Sequence, residues 1–229
     1  LTLVNGAYLQ APKADFTKAV LDEAFLEQAN LEGARLDRVR AEYAILEGAD
    51  LRGVNAVDAV FNHVDFSKAR LGGAVLRRAS AVLALFGEVA AEGLDLEGAE
   101  LRQASFVEAQ LRGARFVGAK ARKGFFRKAR VDGAEFGYAD LREAHFTEAS
   151  AVGARFLGAN LRDARLYRAD LTRAELVHAN LMGAELRKAN LEGASLARAN
   201  LYEAVLTGVR GSGFDLTDAN LKRVVREPA

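Results

Sequence analysis

Hydrophobic side chains recur at every fifth position over most of this chain. From Phe16 to Leu221, the 42 positions spaced by five hold 24 Leu, 10 Phe, six Ala, one Val and one Gly. Two residues before each of them lies a second series, from Ala14 to Ala219, in which 34 of the 42 positions are Ala. The register does not slip over this span, and most of the remaining positions are polar. The pattern therefore separates one inward-facing pair of positions in every five from an outward-facing remainder.

A period of five fits neither a straight helix nor a flat strand. A step of five residues advances by about 500° on an α-helix, so the Leu positions would drift around every face. In a strand, an odd step sends successive Leu side chains to opposite faces. A chain that turns by about 90° after every five residues would bring all of them inside, because four such sides close one coil. The pattern predicts an all-β fold, a square coil of 20 residues per turn.

A second period of 20 residues supports this square coil. Glycine follows that step with one exception, Arg173, and glycine suits a tight corner because it accepts a positive φ. The same step predicts two internal ring stacks, which could gain from offset contacts between rings. The glycines lie at 33, 53, 73, 93, 113, 133, 153, 193 and 213, and the two stacks contain Phe66, Phe86, Phe106, Phe126 and Phe146, and Phe116, Phe136 and Phe156.

The repeated text A-(D/N)-L-x-x resembles that of the pentapeptide-repeat family. It occurs at 29–31, 49–51, 159–161 and 189–191, among other places. The resemblance covers about nine tenths of the chain. It implies a right-handed four-sided parallel β-helix, a pentapeptide-repeat solenoid. With the chain length given, it also implies about 11 coils and a rod about 50 Å long at about 4.8 Å per coil.

The regular text predicts a single solenoid over residues 1–229. Residues 14–224 are in register, whereas 1–13 are only loosely periodic and are expected to form an irregular first coil or cap. We also expect a distorted coil at 209–214, where Gly211 takes an inward position and Phe214 takes a small one. Because the chain begins at Leu1 and its only methionine is Met182, we expect it to be part of a longer protein.

The chemical inventory argues against an enzyme. Cysteine is absent, the three histidines (His63, His145 and His178) fall in well-separated coils, and no HExxH, GxSxG or phosphate-loop motif occurs. We expect no catalytic residues, no metal, no cofactor and no small-molecule substrate. No apolar run approaches the roughly 18 residues needed to cross a bilayer, so we expect no membrane partner. The cytoplasm is the expected compartment, with a secretion-associated location as the alternative.

Charge along the rod provides the first candidate surface. The chain carries 32 Lys and Arg against 31 Asp and Glu, a balance that argues against direct nucleic-acid binding. Residues 111–130 nevertheless contain eight basic and no acidic side chains, next to an acidic stretch at 88–108. Four like charges also occupy one outward position in consecutive coils, which is mildly destabilising unless neighbours offset it. This arginine row is either neutralised by Glu100, Asp140, Glu143 or Asp163, or binds an anion or partner; it contains Arg102, Arg122, Arg142 and Arg162.

An apolar strip provides the second candidate surface. Six large apolar side chains flank one corner and are expected to point outward, with His63 and Asp65 interrupting the run. Exposed strips of this kind usually mark contact surfaces. The alternative is that residues 1–13 or an upstream segment covers the strip. Its members are Phe25, Tyr43, Ile45, Leu83, Leu85 and Phe125.

Two classes of function follow. The first is a non-catalytic rigid scaffold or protein–protein interaction module, as one part of a larger bacterial protein, with an unidentified protein partner. The second comes from the resemblance, since family members that protect DNA gyrase from quinolone-type antibiotics are thought to mimic duplex DNA. Such a mimic needs a negative stripe, because DNA carries about one charge per 1.7 Å of its axis. Unpaired backbone at the ends of a solenoid also leaves a homodimer through a rod end open.

Overall fold

The computed structural model describes residues 4–226, and in this range the backbone forms a ladder with a constant offset of 20 residues. Parallel β-bridges join each bridging residue to the one 20 positions later, from Asn5 and Phe25 to Val205 and Val225, without a gap. Every bridge is a single residue, and residues 4–226 contain no helix and no longer strand. Four five-residue units therefore make one coil of a parallel β-helix. At this offset, the chain length predicts about 11 coils of roughly 4.8 Å each.

Each five-residue unit ends in the same tight turn, which sets the corner. In one example the amide of Ala19 donates to the carbonyl of Phe16 at 2.8 Å, enclosing Thr17 and Lys18. Lys18 has φ of 63°, and a positive φ at the second central residue is the mark of a type II turn. The non-glycine residues at this position include none with a β-branched side chain, which the left-handed region disfavours. The nine glycines predicted at one corner all have φ between 61° and 67°.

The Asp or Asn of the repeated motif satisfies an amide that the ladder leaves free. Backbone bonds within and between coils use the amides of the other four residues of a unit, but not that of the first turn residue. Instead, the amide of Thr17 donates to Oδ1 of Asp15 at 2.9 Å, and the amide of Arg52 donates to Oδ1 of Asp50. Where Arg40 takes the bridging position, Oδ1 of Asp22 in the preceding coil accepts from the amide of Glu42 at 3.0 Å. The motif thus has a local hydrogen-bonding reason.

The rod interior is filled by the two inward-facing series. Their Ala, Leu and Phe side chains are buried from Ala24 to Ala204. Both predicted ring stacks are present, because consecutive members have nearly parallel rings with centroids 4.5–5.0 Å apart. The two stacks lie on opposite sides and meet edge to face across the axis, as Phe126 and Phe136 do at 5.9 Å. The core is therefore a packed column and not a channel.

The two irregular segments behave differently. Residues 4–13 of the expected cap follow the same turn and bridge pattern as the rest, and residues 1–3 lie outside the described range. The distortion expected at 209–214 is confirmed, because a bend replaces the turn and Gly211 has φ of 99°. Beside it lies a cavity of about 310 Å³, which is lined by Leu191, Leu196, Leu201, Leu206, Val209, Phe214, Leu216 and Arg226.

Candidate functional site

The histidines and acids of residues 4–226 do not gather into a reactive cluster. No group of three His, Asp or Glu side chains in this range could hold a metal ion. His63 and His145 lie along the same side of the rod but four coils apart, about 19 Å at about 4.8 Å per coil. Partial burial, assisted by the charge of Arg165, lowers the pKa of His145, so its ring is neutral at pH 7. In the same range, no helix is long and apolar enough to cross a membrane.

The apolar strip projects from the rod surface. Five of its six members are between 37% and 57% exposed, and the sixth, Ile45, is half-buried. Residues 4–13 form part of the coil and do not cover the strip, which removes that part of the alternative considered above. The strip thus presents large apolar side chains on a surface that is otherwise mostly polar.

The arginine row continues the same corner as the apolar strip. The amide of Leu83 donates to the carbonyl of Arg102 at 3.0 Å, and the amide of Gln103 donates to the carbonyl of Arg122 in the next coil at the same distance. These bonds place the two arginines directly after Leu83 along one edge. The structure therefore brings both candidate sets together, since the corner is apolar in its first coils and carries arginine in the coils that follow.

Two histidines extend the apolar character of this corner. The rings of Tyr43 and His63 stack with centroids 4.6 Å apart and an interplanar angle of 7°. The ring of Phe125 meets that of His145 edge to face at 5.1 Å. Sequence reasoning treated His63 as an interruption and left out His145, although the 20-residue spacing from Phe125 already places His145 in the same row.

Three of the four arginines in the row bind carboxylates of their own chain. Nη2 of Arg122 lies 2.5 Å from Glu143, Nη2 of Arg142 lies 2.6 Å from Asp140, and Nε of Arg162 lies 3.2 Å from Asp163. Hydrogen bonds from Arg142 lower the pKa of Asp140, and those from Arg122 lower the pKa of Glu143. Glu100 pairs with Lys120 instead. Arg102 has no ion pair within the described part of the chain.

The basic coil at 111–130 is neutralised by its neighbours. Each of its eight Lys and Arg side chains has a carboxylate within 4.0 Å, supplied by the coil before or the coil after. Arg115 bridges Asp95, Glu97 and Glu135 at 3.1–3.4 Å. The adjacent basic and acidic stretches therefore stabilise the ladder by cross-coil pairing and leave little net field around the rod.

Comparison with known proteins assigns the repeats to a family. The family model described as "Pentapeptide repeats" matches eight times, over residues 13–48, 44–80, 84–120, 126–166, 139–176, 152–187, 164–201 and 184–223. A comparison with curated proteins gives no significant match.

Solved structures with similarity to this chain are also pentapeptide-repeat proteins. HetL, described as involved in heterocyst differentiation regulation in the cyanobacterium Nostoc, is 28% identical over 96% of this chain and 88% of its own, with a TM-score of 0.35. QnrB1, described as a plasmid-mediated fluoroquinolone resistance protein, is 19% identical over 99% of this chain and 92% of its own, with a TM-score of 0.42. Rfr23 from the cyanobacterium Cyanothece is 23% identical over 65% of this chain and 87% of its own, with a TM-score of 0.32.

The family assignment rests on the eight matches and on the unbroken ladder of 20-residue offsets. It also implies the right-handed sense of the coil. Since the matched segments together span most of residues 13–223, the chain belongs to the pentapeptide-repeat family.

Proposed function

We propose that this chain is a non-catalytic rigid rod that acts as a protein–protein interaction module of a larger bacterial protein. The observation that carries the proposal is the shared corner, where the exposed apolar strip is continued by the arginine row. A filled core with short corners holds this surface in a fixed shape, so a partner meets preorganised side chains. Large apolar side chains with arginine nearby are typical of binding surfaces. The proposal places the rod in the cytoplasm, with a secretion-associated location as the alternative that cell fractionation would reveal.

A pull-down from a lysate of the native host tests this role. The bait variants are Leu83→Glu with Leu85→Glu, and Arg122→Glu with Arg142→Glu. The matched control is Leu157→Glu, because Leu157 is also 40% exposed but lies at a different corner. We expect one protein to be retained by wild type and by the control, and lost with one of the two surface variants. Equal retention by all variants, or no retention by any, would contradict the proposal.

The second candidate is a DNA mimic that binds DNA gyrase or topoisomerase and confers quinolone-type resistance. It is favoured by residues 13–110, which hold 17 acidic and 11 basic side chains. Ion pairs counter that excess, because Asp15, Asp22, Asp50, Asp58 and Asp95 all bind arginines of the same chain. A gyrase supercoiling assay with ciprofloxacin separates the two functions. Protection of gyrase by the purified rod would favour mimicry, whereas unchanged inhibition would favour the interaction module.

A further inference from the structure

The outward row at the centre of the strip has a pattern that is almost the same in both directions. Joined by successive bridges, it reads Phe, Ile, Asp, Leu, Ser, Phe and His from the first coil to the last. If the order is reversed about its middle residue, Leu85, each apolar residue falls opposite an apolar or aromatic one. Asp65 falls opposite Ser105, which can donate a hydrogen bond to it. The row contains Phe25, Ile45, Asp65, Leu85, Ser105, Phe125 and His145.

A second copy of the rod, turned antiparallel, produces this pairing. A two-fold axis that crosses the rod at the level of Leu85 reverses the order of the coils and keeps each corner on the same edge of the interface. Leu85 then meets Leu85 of the other copy, and Ile45 meets Phe125. Such an interface is isologous, because the same patch serves both copies.

The charges along the corner fit the same arrangement. The first turn residues of successive coils change from acidic to basic, in the order Asp, Glu, Asn, Val, Arg, Arg and Arg, with Val82 at the level of Leu85. In the antiparallel pair, Arg122 faces Glu42 and Arg142 faces Asp22. Arg102, which has no ion pair within the described residues, faces Asn62. The line of like charges thus acquires opposite charges from the second copy.

The other edge of the strip is complementary as well. There Glu47 faces Arg127, and Lys68 faces Glu108, when Leu85 is the centre. In the outermost coils Glu23 and Glu27 face Glu143 and Glu148, but these last two already bind Arg122 and Arg168 within their own chain. A parallel pair would instead bring the arginine corner of one copy against the basic edge at 127–128 of the other. Repulsion there disfavours the parallel arrangement.

We infer that the apolar strip and the arginine row are the two halves of one self-complementary surface, through which two copies of this chain form an antiparallel dimer. The inference deepens the proposed interaction role by naming a second copy as the occupant of this corner. Contact from Phe25 to His145 spans six coil steps, about 29 Å at about 4.8 Å per coil. Because that patch is narrow, we expect a dissociation constant of about 10 μM, at the weak end of specific interfaces.

Sedimentation velocity of the purified chain over a concentration series measures the association. We expect a monomer–dimer equilibrium for wild type and for the control Leu157→Glu. Leu85→Glu puts a carboxylate next to its own copy at the two-fold axis, so dimerisation should weaken by at least about 30-fold. A wild-type chain that stays monomeric up to about 100 μM, ten times the expected constant, would overturn the inference. So would a Leu85→Glu variant that associates like wild type.

A charge exchange tests the register. Arg122→Glu alone should weaken the dimer by about 10-fold, since the reversed pair occurs twice in the interface. Adding Glu42→Arg to the same chain should restore association. The two residues are four coils apart, about 19 Å at about 4.8 Å per coil, so no contact within one chain could produce the rescue. Failure of the second change to restore the dimer would refute the register about Leu85.

Cross-linking tests the antiparallel sense, and the absence of cysteine makes each introduced thiol unique. Facing sheets pack about 10 Å apart, beyond the reach of a disulfide, so a short bis-maleimide is the reagent. Ile45→Cys chains mixed with Phe125→Cys chains should give cross-linked heterodimers, while either variant alone should give few. The opposite result would overturn the antiparallel arrangement. A monomeric wild type whose pull-down partner is lost with Leu83→Glu and Leu85→Glu would refute the dimer and leave the proposed function standing.

Discussion

The central phenylalanine stack should stabilise the rod beyond the burial of its apolar surface, and Phe126→Leu tests this. The ring of Phe126 has four aromatic neighbours, with two stacked rings at 4.5 and 5.0 Å and two edge-to-face rings at 5.7 and 5.9 Å. Phe61 is equally buried but has one ring neighbour, Phe66, edge to face at 5.2 Å. Phe61→Leu is therefore a matched control that loses similar side-chain volume and fewer ring contacts.

The expected difference follows from the number of ring pairs. An aromatic pair contributes about 0.5–1.5 kcal/mol beyond its burial. Phe126 has three more pairs than Phe61, and losses that share one ring are not fully additive. We expect Phe126→Leu to lower the free energy of unfolding by about 2 kcal/mol more than Phe61→Leu does.

Urea unfolding at 25 °C, followed by circular dichroism, measures both free energies. Equal slopes for the two variants are required, because a long repeat array can lose cooperativity and a changed slope would signal partial unfolding. Variants that differ by less than about 0.5 kcal/mol would refute the reasoning, since the stacked geometry would then add nothing to the burial of the rings.

Two further perturbations test the corners. Gly211→Ala should lower the thermal midpoint well below that of the control Gly53→Ala, because a Cβ at Gly211 would come within 2.7 Å of the Cα of Glu192, whereas Gly53 has open space and only its positive φ to strain; equal midpoints would contradict this. Hydrogen bonds from Arg52 and Arg142 lower the pKa values of Asp50 and Asp140 below the ordinary 3.8. Their stabilisation is therefore complete above that value and lost as pH falls through the lower folded-state pKa values. Asp50→Asn should reduce the acid-induced loss of stability in urea melts at pH 7 and pH 3, and an unchanged loss would argue against a role for Asp50.

The fold could be predicted from the sequence because the repeat specifies each level of structure separately. Alanine and leucine at fixed positions determine which side chains enter the core, and glycines such as Gly53 mark a corner that needs a positive φ. The ring stacks follow from spacing alone, since residues 20 apart lie in adjacent coils. The turn at residues with ordinary side chains, such as Lys18, was not foreseen, because the hydrogen bond that closes the turn holds a positive φ without glycine.

The candidate surface was only partly predictable. The strip and the arginine row were found as separate sets, although both follow the same 20-residue spacing along one corner. Rotamers decide the rest, since Arg122 reaches forward to Glu143 whereas Arg142 folds back on Asp140 in its own coil. Spacing fixes where a side chain starts, but a long flexible arginine has several carboxylates within reach, and only the packed structure selects one.

A repeat that constrains two positions in five leaves the outward positions free to vary without loss of the core. On such a rod, an arrangement of outward residues that does not assist the ladder needs another cause. Cross-coil pairing accounts for the alternating row in which Arg115 binds Asp95 and Glu135. It does not account for like-charged arginines in register, nor for Leu83 and Leu85 beside them, because both arrangements are unfavourable for an isolated rod in water. Since they share one corner, and since reversing that corner about Leu85 makes it complementary to itself, contact with another molecule is the simplest physical reason for both.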